Sequence, residues 1–143
     1  VDSEVKVINV ERLIDGQLSP PAPSEAVNDL VAATSERSLP SDYVDFLKRH
    51  NGGEGLVGKK YLILWKAEEL MRFNREYEVE EYAPGIFLFG SSGGGEGYGF
   101  DFQDENCPVV RIPFVGMERR YARPVSKTFS DLFSRLASAD HAG

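Results

Sequence analysis

From Ile86 onward the apolar residues change their spacing, and that change limits the fold more than any other feature. Tyr98, Phe100 and Phe102 alternate with Gly99, Asp101 and Gln103. A period of two gathers side chains on one face only in a strand. An apolar run, Ile86 to Gly90, precedes this stretch, and another, Val109 to Phe114, follows it across the turn residues Asp104-Glu105-Asn106. Strands joined this tightly pair antiparallel, because a parallel pair needs a crossover of roughly a dozen residues. Pro113 has no backbone N–H and marks an edge strand or a strand end.

Before Ile86 the spacing is helical. Ser24 offers an N-cap oxygen, Glu25 sits in the first turn, and Val27, Leu30 and Val31 form a stripe expected to face a core. Leu39-Pro40-Ser41-Asp42-Tyr43 starts a second helix, with Ser41 or Asp42 as cap. Tyr43, Phe46, Leu47 and His50 share its inner face, and Asn51-Gly52-Gly53 closes it. Tyr61 to Trp65 has the length of a strand. Lys66 to Tyr82 reads as one helix, with Leu70, Phe73 and Tyr77 on one side and Glu68, Arg72 and Glu76 on the other. Pro84-Gly85 turns the chain. Ser126 or Thr128 caps a last helix that points Phe129, Leu132, Phe133 and Leu136 inward.

The order of elements predicts an α+β fold: a single antiparallel sheet of about four to six strands, with helices packed mainly on one face. The 143 residues suit one domain over 1–143, with a core of 24–137. Pro20, Pro21 and Pro23 interrupt a lead segment over 1–23, in which Val5 to Ile14 is a strand or a short helix. Residues 138–143 are expected to form a frayed tail.

Charge narrows the partners. With 23 acidic and 16 basic residues the net charge is −7, which repels phosphate backbones and anionic lipid and favours basic proteins. The single cysteine, Cys107, excludes an internal disulfide and fits a reducing compartment. No stretch approaches the roughly 20 apolar residues of a membrane span. Asp2 and Glu4 stand where a signal peptide would be basic, so a cytoplasmic location is expected.

The patterns that invite chemistry mostly fail on their neighbours. Gly90 and Gly95 have P-loop spacing, but Glu96 and Gly97 follow where Lys and Ser or Thr are needed. A carboxylate there repels phosphate, and the stretch reads as a wide turn between strands. Gly53 to Gly58 matches GxGxxG with the order of helix and strand reversed. His50, His141 and Cys107 share no metal-ligand spacing. His50 sits in a last helical turn, where a cation suits the dipole. The carboxylates gather in two places, Asp101, Asp104 and Glu105 around a hairpin and Glu78, Glu80 and Glu81 at a helix end. Both are solvated positions, suited to protein contact rather than to paired acid/base catalysis. Arg111, Arg119, Arg120, Arg123 and Lys127 make one basic run, with Tyr121 the only aromatic in its tightest part. It is expected to balance the acidic hairpin rather than bind nucleic acid.

Several of these elements together carry a family resemblance. Leu39-Pro40-Ser41-Asp42-Tyr43 with Phe46-Leu47 and Asn51-Gly52-Gly53 resembles the "LPxxYxxFL…NGG" element of the SUKH superfamily, in the branch named for the fungal cell-wall synthesis regulator. Ile63-Leu64-Trp65 with Glu69-Leu70 and Asn74 is similar to its strand-and-helix continuation. Phe89-Gly90, the glycines and Phe100-Asp101 are similar to its central strand pair, and Phe129, Leu132 and Leu136 to its closing helix. The resemblance spans Ser24 to Leu136. It implies an α+β domain with one antiparallel sheet and no shared catalytic residues; with no metal-ligand spacing in the residues, neither cofactor nor metal is expected. It further implies a bacterial immunity protein that binds and neutralises a cognate toxin, often a nuclease. A regulatory or scaffold domain is the first alternative. A small-ligand binder or enzyme built on the Gly-rich loop is the second. For toxin binding, charge complementarity singles out Glu78, Glu80, Glu81, Asp101, Asp104 and Glu105 as the partner face.

Overall fold

The computed structural model describes residues 9–138. Its strands are β1 (Ile14–Leu18), β2 (Gly53–Val57), β3 (Lys60–Leu64), β4 (Ile86–Ser91), β5 (Glu96–Asp101), β6 (Val109–Pro113) and β7 (Arg123–Ser126). They form one antiparallel sheet in which each strand pairs with the next in the chain. The fold is α+β as expected, but the strands among the described residues number seven rather than four to six.

The additional strands are β1, β2 and β7, and each is poor in strand-forming residues. In β1 and β2, Gly16 lies opposite Gly55. A Cβ on Gly55 would stand 2.6 Å from the Gly16 Cα and 2.5 Å from the Asp15 carbonyl oxygen. Glycine is required there because the two backbones approach so closely. The letters that resemble a dinucleotide motif are therefore β2 and the two-residue turn to β3, where Gly58 has a φ of +64°.

The helices are α1 (Ser24–Ala33), α2 (Ser41–Arg49), α3 (Ala67–Glu76), α4 (Val79–Tyr82) and α5 (Phe129–Ser138). The expected single helix over 66–82 breaks at Glu78, whose φ of +54° ends α3 and re-aims the chain into α4. Three expected caps differ. Pro23 and Pro40 precede the first residues of α1 and α2, so Ser24 and Ser41 are already helical. Asp42 instead accepts the Ser130 N–H of α5 at 2.9 Å. Thr128 does cap α5, accepting the Asp131 N–H at 3.0 Å. Val31, placed in the core stripe, is 42% exposed, while Val27 and Leu30 are buried. The lead segment forms a 3-10 turn over Val10–Arg12 and then enters β1 at Ile14. Residues 5–8 of that segment and 139–143 of the expected tail lie outside the described residues.

The core lies between the sheet and α2 with α5. The Tyr43 ring meets Phe129 at 5.0 Å, Phe100 at 5.3 Å and Phe89 at 5.4 Å, and Phe46 meets Phe129 at 5.3 Å. Two side-chain amides, the buried Asn51 and the partly buried Asn74, tie α3 to the segment before β2 and to β4. Asn51 accepts the Ala67 N–H at 2.8 Å, capping α3, and donates to the Glu68 carboxylate at 2.8 Å. Asn74 bonds both the N–H and the C=O of Leu88, at 2.8 and 2.9 Å. Here β4 carries a bulge between Leu88 and Gly90, and β3 pairs only beyond it, through Ile63 and Leu64. Asn74 thus supplies the partner that β3 does not.

On the opposite face of the sheet, Gln17, Glu54, Ile63, Ser91, Gly97 and Ile112 form one row across six strands. The right half of this row is covered. The segment between β6 and β7 crosses it, setting Phe114 over Gly97 and Arg119 onto Asp101 and the Pro84 carbonyl. Ile112 is fully buried as a result.

Candidate partner-binding site

The two acidic segments lie at one end of the sheet because the chain stitches them there. The Phe102 N–H bonds the Gly85 carbonyl at 2.8 Å, and the Gln103 side chain donates to the Pro84 carbonyl at 3.0 Å. These bonds hold the β5–β6 turn against the turn that follows α4. Arg37, in the connection from α1 to α2, completes the link. Its Nη2 lies 3.2 Å from Glu80 Oε1, and its guanidinium carbon is 5.9 Å from the centre of the Phe102 ring.

The six predicted residues do not play one role. Asp101 is bound to Arg119 at 2.7 Å with only 13% of its side chain exposed, and also accepts the Gln103 N–H. It is part of the frame. Asp104 accepts the Asn106 N–H at 2.9 Å, shaping the turn. Glu80 is held by Arg37. Glu78, Glu81 and Glu105 are exposed, and their carboxylates have no partner among the described residues. The buried Val79 and Ala83 anchor α4 and hold Glu80 and Glu81 outward. Beside α4 lies a groove of about 480 Å³, floored by Met71, Val79, Ile86 and Phe87 and rimmed by Glu36, Glu78, Glu80 and Glu81 with Arg37 and Arg75.

Among the described residues three non-glycines have a positive φ, Ser38 at 56°, Glu78 at 54° and Cys107 at 48°. They fall in the three connections that meet at this end: α1 to α2, α3 to α4, and β5 to β6. Such backbone is uncommon outside glycine and here sets where each connection points.

Nucleophilic chemistry has no support at the cysteine. Burial, helped by the carboxylates of Asp101, Asp104 and Asp42, pushes the Cys107 thiol up to about 11. A thiol that stays protonated is a poor nucleophile. His50 is occupied elsewhere, with Nδ1 2.9 Å from the Ser19 carbonyl and Nε2 3.2 Å from Glu11. Glu11 also accepts from Arg49 at 2.8 Å. Partial burial pushes the Glu11 carboxyl up, but the Arg49 bond, a backbone bond and the Arg49 and His50 charges together hold it below the usual range. His141 lies outside the described residues. Among the described residues no group of three or more His, Cys, Asp or Glu is placed to hold a metal ion. No described helix is long and apolar enough to cross a membrane.

The Gly-rich stretch forms an exposed turn from β4 to β5, with Gly93, Gly94 and Gly95 open to solvent. Within the basic run, Arg119 pairs with Asp101, Arg111 with Glu96 at 3.3 Å and Arg120 with Glu118 at 2.9 Å. Sequence reasoning missed Arg37, whose only signal was a cation within a polar loop. It also missed the outer face of β1–β3, where Tyr61 donates to Glu54 and Leu56 is 44% exposed.

A single seven-stranded meander backed by helices defines the described residues as a small α+β domain. The chain belongs to the SMI1 / KNR4 family (SUKH-1), whose family model matches residues 21–135. Comparison with curated proteins finds no match.

Proposed function

We propose that this protein is an immunity-type domain that binds a basic toxin through its acidic end and neutralises it, with no reaction of its own. Membership of the SUKH-1 family fits both immunity and regulatory domains. The observation that carries the toxin reading is the pair of exposed carboxylates Glu78 and Glu81 on the rim of an apolar groove, with the β5–β6 turn that carries Glu105 tied to the same end through Gly85, Pro84 and Arg37. Exposed carboxylates steer a cationic partner and set its orientation, and the groove supplies surface that a partner's apolar side chain can bury. The partner in this reading is a basic toxin acting in the cytoplasm, such as a nuclease. Asp101 and Asp104 act as supports for this surface rather than as contacts.

The test is co-expression with a panel of basic nuclease toxin domains, followed by binding kinetics on any purified pair that forms. Protection of the host and an association rate that falls steeply with salt are expected. Substituting Glu78, Glu81 and Glu105 together with Ser should slow association by about tenfold at low salt and flatten the salt dependence. Absence of protection would overturn the function. Protection with unchanged kinetics in the triple variant would overturn the choice of face.

A further inference from the structure

The cross-strand row described above is covered from Ser91 to Ile112 and open from Gln17 to Ile63. The open part is a hollow of about 720 Å³ over β1–β3, with Leu56, Tyr61, Ile63 and Trp65 in its surface. Its charged lining is three carboxylates, Asp15, Glu54 and Glu69, against one ammonium, Lys66. Tyr61 donates its hydroxyl to Glu54, so an aromatic ring and a carboxylate are fixed side by side. Trp65 is held by Phe73 at 4.8 Å and by Tyr77, stacked at 6.2 Å.

The covered half shows which chemistry suits this face. There the chain lays its own aromatic and its own arginine across the strands: Phe114 stacks on Tyr77 at 4.4 Å, and Arg119 reaches Asp101 at 2.7 Å. The open half repeats the receiving groups, an aromatic surface with carboxylates beside it, without the covering segment. From this we infer that the hollow over β1–β3 is a second docking surface, and that it takes an arginine-bearing, apolar surface segment of a partner protein. A guanidinium there meets Glu54 and Asp15 at its edge and the Tyr61 ring at its face, while neighbouring apolar side chains cover Leu56 and Ile63. The surface is separate from the acidic end, and its occupation does not depend on the identity of the toxin.

Trp65 is the only tryptophan in the chain, so its fluorescence reads this surface directly. The probe is a blocked six-residue peptide of alternating Arg and Leu, titrated into the full chain at low salt, with the Glu-for-Arg peptide as control. A saturable change in Trp65 emission is expected with the Arg peptide and none with the Glu peptide. The double variant Asp15→Asn/Glu54→Gln should weaken binding by about tenfold, as expected for losing two carboxylate contacts to a cation. Tyr61→Ser should weaken it by about threefold or more, as the aromatic contact is lost. Glu81→Gln/Glu105→Gln, at the acidic end, should leave it within twofold. Circular dichroism confirms that each variant is folded. No saturable change, equal binding of the Glu peptide, or equal weakening by the acidic-end variant would each overturn the proposal.

Discussion

Replacing Tyr43 with Phe should make the protein more stable. Tyr43 is 1% exposed, and its hydroxyl is the buried side-chain polar atom that has no hydrogen-bond partner among the described residues. Burial pushes this phenol far above its usual range, so it stays neutral, and the energetic question is desolvation alone. A buried hydroxyl stripped of water and left unpaired costs about 1–3 kcal/mol. Removing it leaves space for one oxygen, about 10 Å³, which costs roughly 0.2 kcal/mol at ~24 cal/mol per Å³. The ring contacts with Phe89, Phe100 and Phe129 remain. The net gain is therefore about 1–3 kcal/mol, or roughly 3–8 °C in Tm for a chain of this length. Urea unfolding followed by Trp65 emission measures it, with the midpoint rising and the slope unchanged. A loss of 1 kcal/mol or more in Tyr43→Phe would refute the reasoning, because it would show that the hydroxyl makes a hydrogen bond worth more than its burial costs.

Other perturbations test the frame that positions the acidic end. Asn74→Ala strips partners from both the N–H and the C=O of the fully buried Leu88, and should cost about 2–6 kcal/mol in urea unfolding, at ~1–3 kcal/mol for each group. Gly55→Ala places a Cβ 2.5 Å from the Asp15 carbonyl and should cost about 1–3 kcal/mol by forcing β1 and β2 apart, read as a lower Tm. Glu11 has a folded-state pKa below its ordinary value of 4.5, so its stabilising effect is present above that pH and is lost as pH falls through the lowered folded value. Glu11→Gln should flatten this acid limb of the stability curve by less than about 1 kcal/mol, since half of the Arg49 side chain is exposed and solvent screens the pair.

What could be read from the sequence follows from where the information lies. The alternation at Tyr98, Phe100 and Phe102 marks β5 because one face is buried and the pattern must repeat every two residues. The stripes of α2 and α5 are legible for the same reason, since Phe46, Leu47, Phe129 and Phe133 are each buried. β1 and β2 are not legible, because pairing and not residue preference makes them strands. Gly16 and Gly55 look like loop glycines, and only their close approach across the ladder explains them. The break at Glu78 is hidden in the same way, since a glutamate with a positive φ leaves no mark in the sequence.

The candidate site divides along the same line. Counting charges located its two acidic segments, but a count cannot separate Asp101, which Arg119 consumes from 18 residues away, from Glu105, which faces solvent. Nor can it find Arg37, which lies 43 residues before the glutamate it binds. A carboxylate can steer a partner only if the fold has not already neutralised it. On that criterion Asp101 drops out and Glu80 becomes available only once Arg37 lets go; Asp104 keeps its charge but is bent back onto its own turn by the Asn106 N–H, which leaves Glu78, Glu81 and Glu105 as the unengaged carboxylates. Replacing Arg37 with Gln separates these roles. It frees Glu80 and adds one net negative charge, so association with a basic partner should accelerate at low salt. The Arg37–Glu80 pair is itself exposed and contributes less than about 1 kcal/mol to stability, so the fold should persist. An Arg37→Gln variant that binds a basic toxin more slowly than the parent would show that Arg37 holds the site in shape, and that its geometry rather than its charge controls docking.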